Sequence, residues 1–406
     1  MSDVGERLDD LRSAGLHRRL RLVESPQGPR VTLDGTEVLL LCSNNYLGLA
    51  DHPRVRQAAA DAAERFGAGA GASRLISGNM SLHDRLEKRL ATFTGYEATL
   101  LFGSGYLANL GTVAALAGRG QVVFSDELNH ASLIDGCRIS RAERFIYRHA
   151  DIEHLSWGLR KESRKGGLIV TDAVFSMDGD VAPIAELLEL ARRHGFRLMV
   201  DEAHATGALG PGGRGAVAEA GLSGEVDVVV GTLGKTLGSY GAYVCGSAKI
   251  VDLLINTARP FIFSTAPPPP MVAAAIAALE LLESHPHRVE RLQAAAHALR
   301  DELAAEGFAS GGATQIVPLT VGEAERTMAL CERLLEHGIF AQGIRPPTVP
   351  DGSSRLRLTV MATHRAGELR HAARVIASCA RDLGVSAGRV HTLVHTGSTR
   401  LRRRAA

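Results

Sequence analysis

The sequence predicts an α/β protein, a mainly parallel sheet followed by a smaller C-terminal α+β unit. Three observations lead there. From about Asp51, short apolar runs alternate with helical stretches, the pattern of βα units. The tract Pro267–Pro270 reads as a rigid break, and Pro286 marks a second. Beyond Pro286, helices and short strands continue to about Leu383. The 406 residues allow two or three structural units at roughly 150 residues each. The expected divisions are an N-terminal segment 1–50, a large domain 51–285, a small domain 286–383 and a basic tail 384–406.

Taken in order, residues 1–50 open with a charged helix-like stretch through Arg21. An extended segment, Arg30–Leu41, follows and turns at Asp34-Gly35. A helical pattern covers Val55–Phe66. The runs read as strands are Ala98–Phe102, Gln121–Phe124, Arg144–Tyr147, Leu168–Thr171, Arg197–Val200, Asp227–Val230 and Gly241–Cys245. Pro183 suits the first turn of a helix carrying Ile184, Leu187, Leu188 and Ala191, and Gly195 stops it. An alanine-rich helix begins near Met271. After Pro286, Val289, Leu292, Ala296, Leu299 and Leu303 repeat at three and four residues, an amphipathic helix. Arg400 and Arg402–Arg404 close the chain in a loosely ordered basic tail.

Composition excludes several classes. There are 46 Lys and Arg against 44 Asp and Glu, a formal net charge of +2, which argues against a nucleic-acid or membrane-surface binder. No apolar stretch reaches about 18 residues without charge or proline, so no membrane span is expected. The first ten residues lack the basic-then-apolar order of a signal peptide. Cys42, Cys137, Cys245, Cys331 and Cys379 form no CxxC pair, so neither a metal site nor a disulfide framework is expected. A soluble cytoplasmic protein is the expectation.

The chemistry concentrates after the buried runs, where open α/β sheets bind their ligands. Gly234-Lys235-Thr236 follows Val228-Val229-Val230. A phosphate loop would need glycine at 229, where valine stands. Gly67–Ser73 follows a helix where a dinucleotide fingerprint needs a strand. Lys235 is then either a solvated surface residue or an amine placed for Schiff-base chemistry. Asp201-Glu202-Ala203-His204, after another buried run, raises the second option. Pyridoxal phosphate needs a lysine for its aldehyde and a carboxylate for its pyridine nitrogen.

With Thr232–Lys235, Asp201–His204 and Ser43-Asn44-Asn45-Tyr46-Leu47-Gly48-Leu49, the chain resembles the α-oxoamine synthases. These fold-type I pyridoxal-phosphate transferases join an amino acid to an acyl thioester and release CO2. Gly71–Gly78, Phe102–Tyr106, Asn129–Ser132, Arg345–Pro350 and Arg355–Thr359 extend the similarity from about Arg18 to Leu383.

The resemblance implies roles. Lys235 forms the Schiff base and moves the Cα proton; Asp201 pairs with the pyridinium. His204 bonds the cofactor's phenolic oxygen, with Ser176 close by. His130 stacks on the ring, although a lone histidine after a strand is more often structural. Gly105, Tyr106 and Thr232 hold the phosphate, joined by Thr265 from the partner subunit of a homodimer with interfacial sites. Arg357 takes the amino-acid carboxylate, with Asn44 and Arg345 as neighbours. Arg18 and Thr348 match substrate-contacting positions, though Arg18 also fits a solvated basic face with Arg19 and Arg21. Asp178 and Asp180 read as a turn, and Glu202 as a support for His130 or a backbone group.

Arg345–Pro350 points to the biotin-pathway branch, which joins L-alanine to a pimeloyl thioester of coenzyme A or acyl carrier protein. Branches of the glycine acetyltransferase, 5-aminolevulinate synthase or serine palmitoyltransferase type would keep Lys235, Asp201 and His204. A non-catalytic regulator of this fold would normally add a DNA-binding domain, for which there is no room before Arg18.

Overall fold

Asp34 and Gly35 both take positive φ, 47° and 81°, and turn β1 (Arg30–Leu33) into β2 (Thr36–Leu40). Those angles are what a two-residue hairpin with the right-handed strand twist requires. The computed structural model describes residues 3–162 and 165–385; the basic tail from 386 onward lies outside them. His52 caps the next helix, Pro53–Phe66, with proline in its first turn.

The apolar runs become one seven-stranded sheet. Its members are β3 (Ala98–Phe102), β4 (Val122–Asp126), β5 (Glu143–Tyr147), β6 (Gly167–Asp172), β7 (Arg197–Asp201), β8 (Val228–Thr232) and β9 (Ala242–Gly246). They lie in the order β3-β9-β8-β7-β6-β4-β5. The five from β8 to β5 are parallel, while β9 runs antiparallel to both β8 and β3. Helices cover both faces, and strand residues alternate between two buried apolar layers: Val200 and Val229 lie in one, Met199 and Val230 in the other.

Two three-stranded sheets follow. β10 (Ile316–Gly322), β13 (Ser354–Thr359) and β12 (Gln342–Ile344) pair antiparallel. β11 (Ile339–Phe340) adds in parallel to β2, so the N-terminal hairpin is built into the C-terminal part of the chain. Leu292, Leu299 and Leu303 of the helix His287–Ala305 are buried, as the spacing predicts.

The structure departs from expectation in three places. The N-terminal helix is Val4–Ser13 and does not reach Arg21. None of its residues is buried, Gly15 takes φ 65°, and Arg21 turns instead onto Glu332 at 2.6 Å. The alanine-rich helix starts at Pro269, so half of the proline tract is its first turn, where a missing N–H costs nothing. Four strands also extend past their apolar runs. Asp126, Asp172, Asp201 and Thr232 are the last residues of β4, β6, β7 and β8, so a row of polar groups stands at one edge of the parallel sheet. Among the described residues, no helix is long and apolar enough to cross a membrane.

Candidate active site

Asp201 closes β7 and is buried. Its Oδ1 accepts the Ala203 N–H at 2.8 Å and its Oδ2 accepts Asn109 Nδ2 at 2.6 Å. Asn109 sits within the apolar helix Gly105–Leu116, and its other amide hydrogen goes to Ser132 Oγ at 2.9 Å. Beside Asp201 in register, on β6, stands a second buried acid, Asp172. Burial and the charge of Asp201 hold its carboxyl well above the usual carboxylate range. Asp172 accepts the His130 N–H at 2.6 Å, and this fixes the loop that His130 occupies.

His204 lies three residues beyond Asp201. Its Nε2 is 2.8 Å from Lys235 Nζ and its Nδ1 is 2.7 Å from the Tyr46 hydroxyl. Burial, reinforced by Lys235 and Arg357, pushes His204 well below the ordinary histidine range, so the ring is neutral. Lys235 follows β8 in a tight turn. Burial lowers its amine to about 8, against the raising pull of Asp201 and Asp172. Such an amine is partly uncharged near neutral pH and so can attack a carbonyl. Gly238 closes the turn at φ 58°, where a Cβ would stand 2.4 Å from the Ala50 nitrogen. That close approach sets the lysine turn against the Asn44–Leu49 loop.

Tyr46 OH also contacts Asn44 Oδ1 at 3.0 Å, and Asn44 Oδ1 accepts both terminal nitrogens of Arg357 at 3.3 and 3.4 Å. Arg357, buried on β13, donates its Nε to the Ser176 carbonyl. Lys235, His204, Asn44, Ser176 and Arg357 are thus connected, although they come from five separate stretches of chain. At the helix Gly105–Leu116, Ser104 Oγ caps Leu107 at 3.2 Å. The N–H groups of Gly105 and Tyr106 meet no acceptor among the described residues, and space around Gly105 is open. Thr232 Oγ1 accepts the Gly234 N–H at 3.3 Å and donates to the Gly241 carbonyl at 3.1 Å. His130 caps the helix Ala131–Ile139, its Nδ1 2.7 Å from Ser132 Oγ and its ring exposed.

Other expected residues lie apart. Arg18, Arg345 and Thr348 line an open cavity of about 800 Å³ that neither Lys235 nor Arg357 lines. Arg345 donates to the His17 carbonyl at 3.0 Å, so Asn44 alone of the two expected neighbours touches Arg357. Thr265 is exposed, in an isolated antiparallel bridge with Ser73. Glu202 does not reach His130; it accepts the N–H groups of Ala216 and Val217 at 3.0 and 2.7 Å. Asp178 and Asp180 do lie in the turn region before Pro183, but each also holds a partner: Arg355 for Asp178, and His149 Nε2 at 2.8 Å for Asp180.

Sequence reasoning gave no role to Asn109, Asp172, Tyr46, Gln315 or His149. One signal was present: an asparagine inside an otherwise apolar helix calls for a buried partner. Gln315, which donates to the His204 carbonyl at 2.7 Å, had no such signal.

A near-neutral amine, a buried carboxylate opposite it and free N–H groups at a helix start fit an aldehyde-bearing aromatic phosphate. With the mainly parallel seven-stranded sheet, they define a fold-type I pyridoxal-phosphate transferase. The chain belongs to the aminotransferase class I and II family, whose profile matches residues 36–376. It is similar to proteins named 8-amino-7-oxononanoate synthase. That of Geobacter sulfurreducens is 54% identical over 95% of this chain and 99% of its own length. That of Citrifermentans bemidjiense is 53% identical over 95% of this chain and its own full length. A solved structure of SPT (serine palmitoyltransferase) with PLP superposes with a TM-score of 0.89 at 33% identity, covering 94% of this chain and 98% of the other.

Proposed function

We propose that this chain is a pyridoxal-phosphate enzyme that condenses L-alanine with a pimeloyl thioester. The products are 8-amino-7-oxononanoate, CO2 and free thiol, a step of biotin synthesis. The observation that carries the reading is the Lys235 amine, lowered to about 8 and held 2.8 Å from a neutral His204, with Asp201 buried nearby. Relatives of the same name at 53–54% identity over nearly the whole chain support the substrate assignment.

When bound, pyridoxal phosphate supplies an electron sink for the pair left at the substrate Cα after a proton or CO2 departs. Lys235 would hold the cofactor's aldehyde carbon and then carry the Cα proton. Asp201, kept in place by Asn109 and Ala203, would hold the positive charge of the pyridine nitrogen. Gly105, Tyr106 and Thr232 offer donors for the phosphate, with Thr265 of a second copy completing them in a homodimer. His204, with Ser176 near, would face the cofactor's phenolic oxygen, and the exposed His130 ring would cover its pyridine face. Arg357 and Asn44 bind the alanine carboxylate. The cavity bordered by Arg18, Arg345 and Thr348 takes the acyl chain, where each buried methylene is worth about 0.8 kcal/mol. A cytoplasmic enzyme accords with this reading.

Steady-state assays test it. Alanine with pimeloyl-coenzyme A should exceed glycine with acetyl-coenzyme A by about a hundredfold or more in kcat/KM, roughly 2.7 kcal/mol. Equal or reversed preference would move the protein to a glycine-using branch. Pimeloyl carrier protein, run in parallel, identifies the physiological thiol.

A further inference from the structure

Tyr46 has no role in the reaction as described, yet its hydroxyl stands between Asn44 and His204. Its ring is fully buried. The oxygen lies 3.0 Å from Asn44 Oδ1 and 2.7 Å from His204 Nδ1, and the N–H donors of Arg357 and Gln315 also face it, offering protons and taking none.

The proton positions follow from donor arithmetic. A guanidinium can only donate, so the Asn44 atom facing both Arg357 nitrogens is the amide oxygen, an acceptor. A phenol carries one proton. At 3.0 Å from an amide oxygen that proton must lie between the two, or lone pairs would face each other in a buried site. The phenol oxygen then offers His204 only lone pairs, so the ring proton of His204 sits on Nδ1 and is donated to Tyr46. A neutral imidazole has one N–H, and Nε2 is left as a bare acceptor. Nε2 is the atom 2.8 Å from Lys235 Nζ. Lys235 and Arg357, and His130 whenever it is protonated, work with burial against its protonation.

We propose that Tyr46 is a positioning residue: by giving its one proton to Asn44 it locks His204 in the Nδ1–H tautomer, so that Nε2 accepts from Lys235 and from a hydroxyl group brought beside it. Through Asn44 the same chain of hydrogen bonds starts at Arg357. The proposal rests on the reading that Lys235 carries the cofactor, but the tautomer itself depends only on the chain's own side chains.

The test is carried out on the holoenzyme with ¹⁵N-labelled histidine. The His204 signals are assigned by their loss in His204→Gln, and long-range ¹H–¹⁵N spectra report which nitrogen is protonated. The wild type should show Nδ1–H, and Tyr46→Phe should move the proton to Nε2. Asn44→Leu, which leaves the phenol no amide acceptor, should move it the same way. In Tyr46→Phe the pH midpoint of the cofactor's visible band should shift about threefold or more in proton affinity, with kcat down about tenfold and KM for alanine within about twofold. In a His204→Gln background, Tyr46→Phe should cost nothing further. An Nε2–H tautomer in the wild type overturns the proposal, and so does an equal loss with and without His204. If Tyr46→Phe does not fold, the wild-type spectrum and Asn44→Leu decide. A wild type that fixes cofactor on another lysine overturns the functional reading and leaves the tautomer result standing.

Discussion

Asn109 Nδ2 lies 2.6 Å from Asp201 Oδ2, so a buried amide reaches from the middle of an apolar helix to the end of β7. The other amide hydrogen is held by Ser132 Oγ at 2.9 Å, which leaves the amide plane no freedom to turn away. A hydrogen bond to a buried charged group is worth about 1.5–3 kcal/mol. Asn109→Ala should destabilise the protein by that amount in urea titration. A loss below about 0.5 kcal/mol would show that the contact carries no energy.

Asp201→Asn keeps the shape of the carboxylate and removes its charge. The variant should retain cofactor. Exchange of the alanine Cα proton for deuterium should fall by a hundredfold or more, since losing a buried charge partner costs about 3–5 kcal/mol. Near-normal exchange would contradict the pairing of Asp201 with the cofactor.

The Lys235 amine, held at about 8 by burial, is protonated below that pH and free above it. Cofactor uptake by the cofactor-free protein should accelerate as pH rises through about 8. Borohydride reduction of the yellow holoenzyme should leave one labelled peptide, containing Lys235. A label on another lysine would refute the assignment.

His149 joins the end of β4 to the loop before Pro183: Nδ1 is 3.1 Å from Asp126 and Nε2 is 2.8 Å from Asp180. Burial opposes its charge, but hydrogen bonds to the two carboxylates outweigh it and raise His149 to about 10. Its unfolded value is about 6.5. The native chain therefore keeps a proton that the unfolded chain releases. That contribution to stability is full below pH 6.5 and is lost as pH rises through about 10. Between pH 7 and 10 the melting temperature of the wild type should fall more steeply than that of His149→Gln. Parallel curves would show that the bridge does not titrate.

Local pattern was enough for much of this protein. Apolar runs of strand length, separated by amphipathic helices and turn glycines, determine a mainly parallel sheet, because only βα crossovers bury both faces of such strands. Asp34-Gly35 determines its hairpin through backbone geometry alone. Lys235, Asp201 and His204 were legible because each follows a buried run, where ligands of such sheets gather. What the tertiary structure decided is which distant groups share a proton or a charge. Asp172 faces Asp201 only because β6 and β7 are neighbours in register, and burial together with the Asp201 charge then raises the Asp172 carboxyl. Arg357 on β13 meets Asn44, near the start of the chain, while Arg345, just beyond β12, turns to His17. Contacts across more than three hundred residues leave no periodicity in the sequence. They depend on strand order and register, which the whole core sets at once.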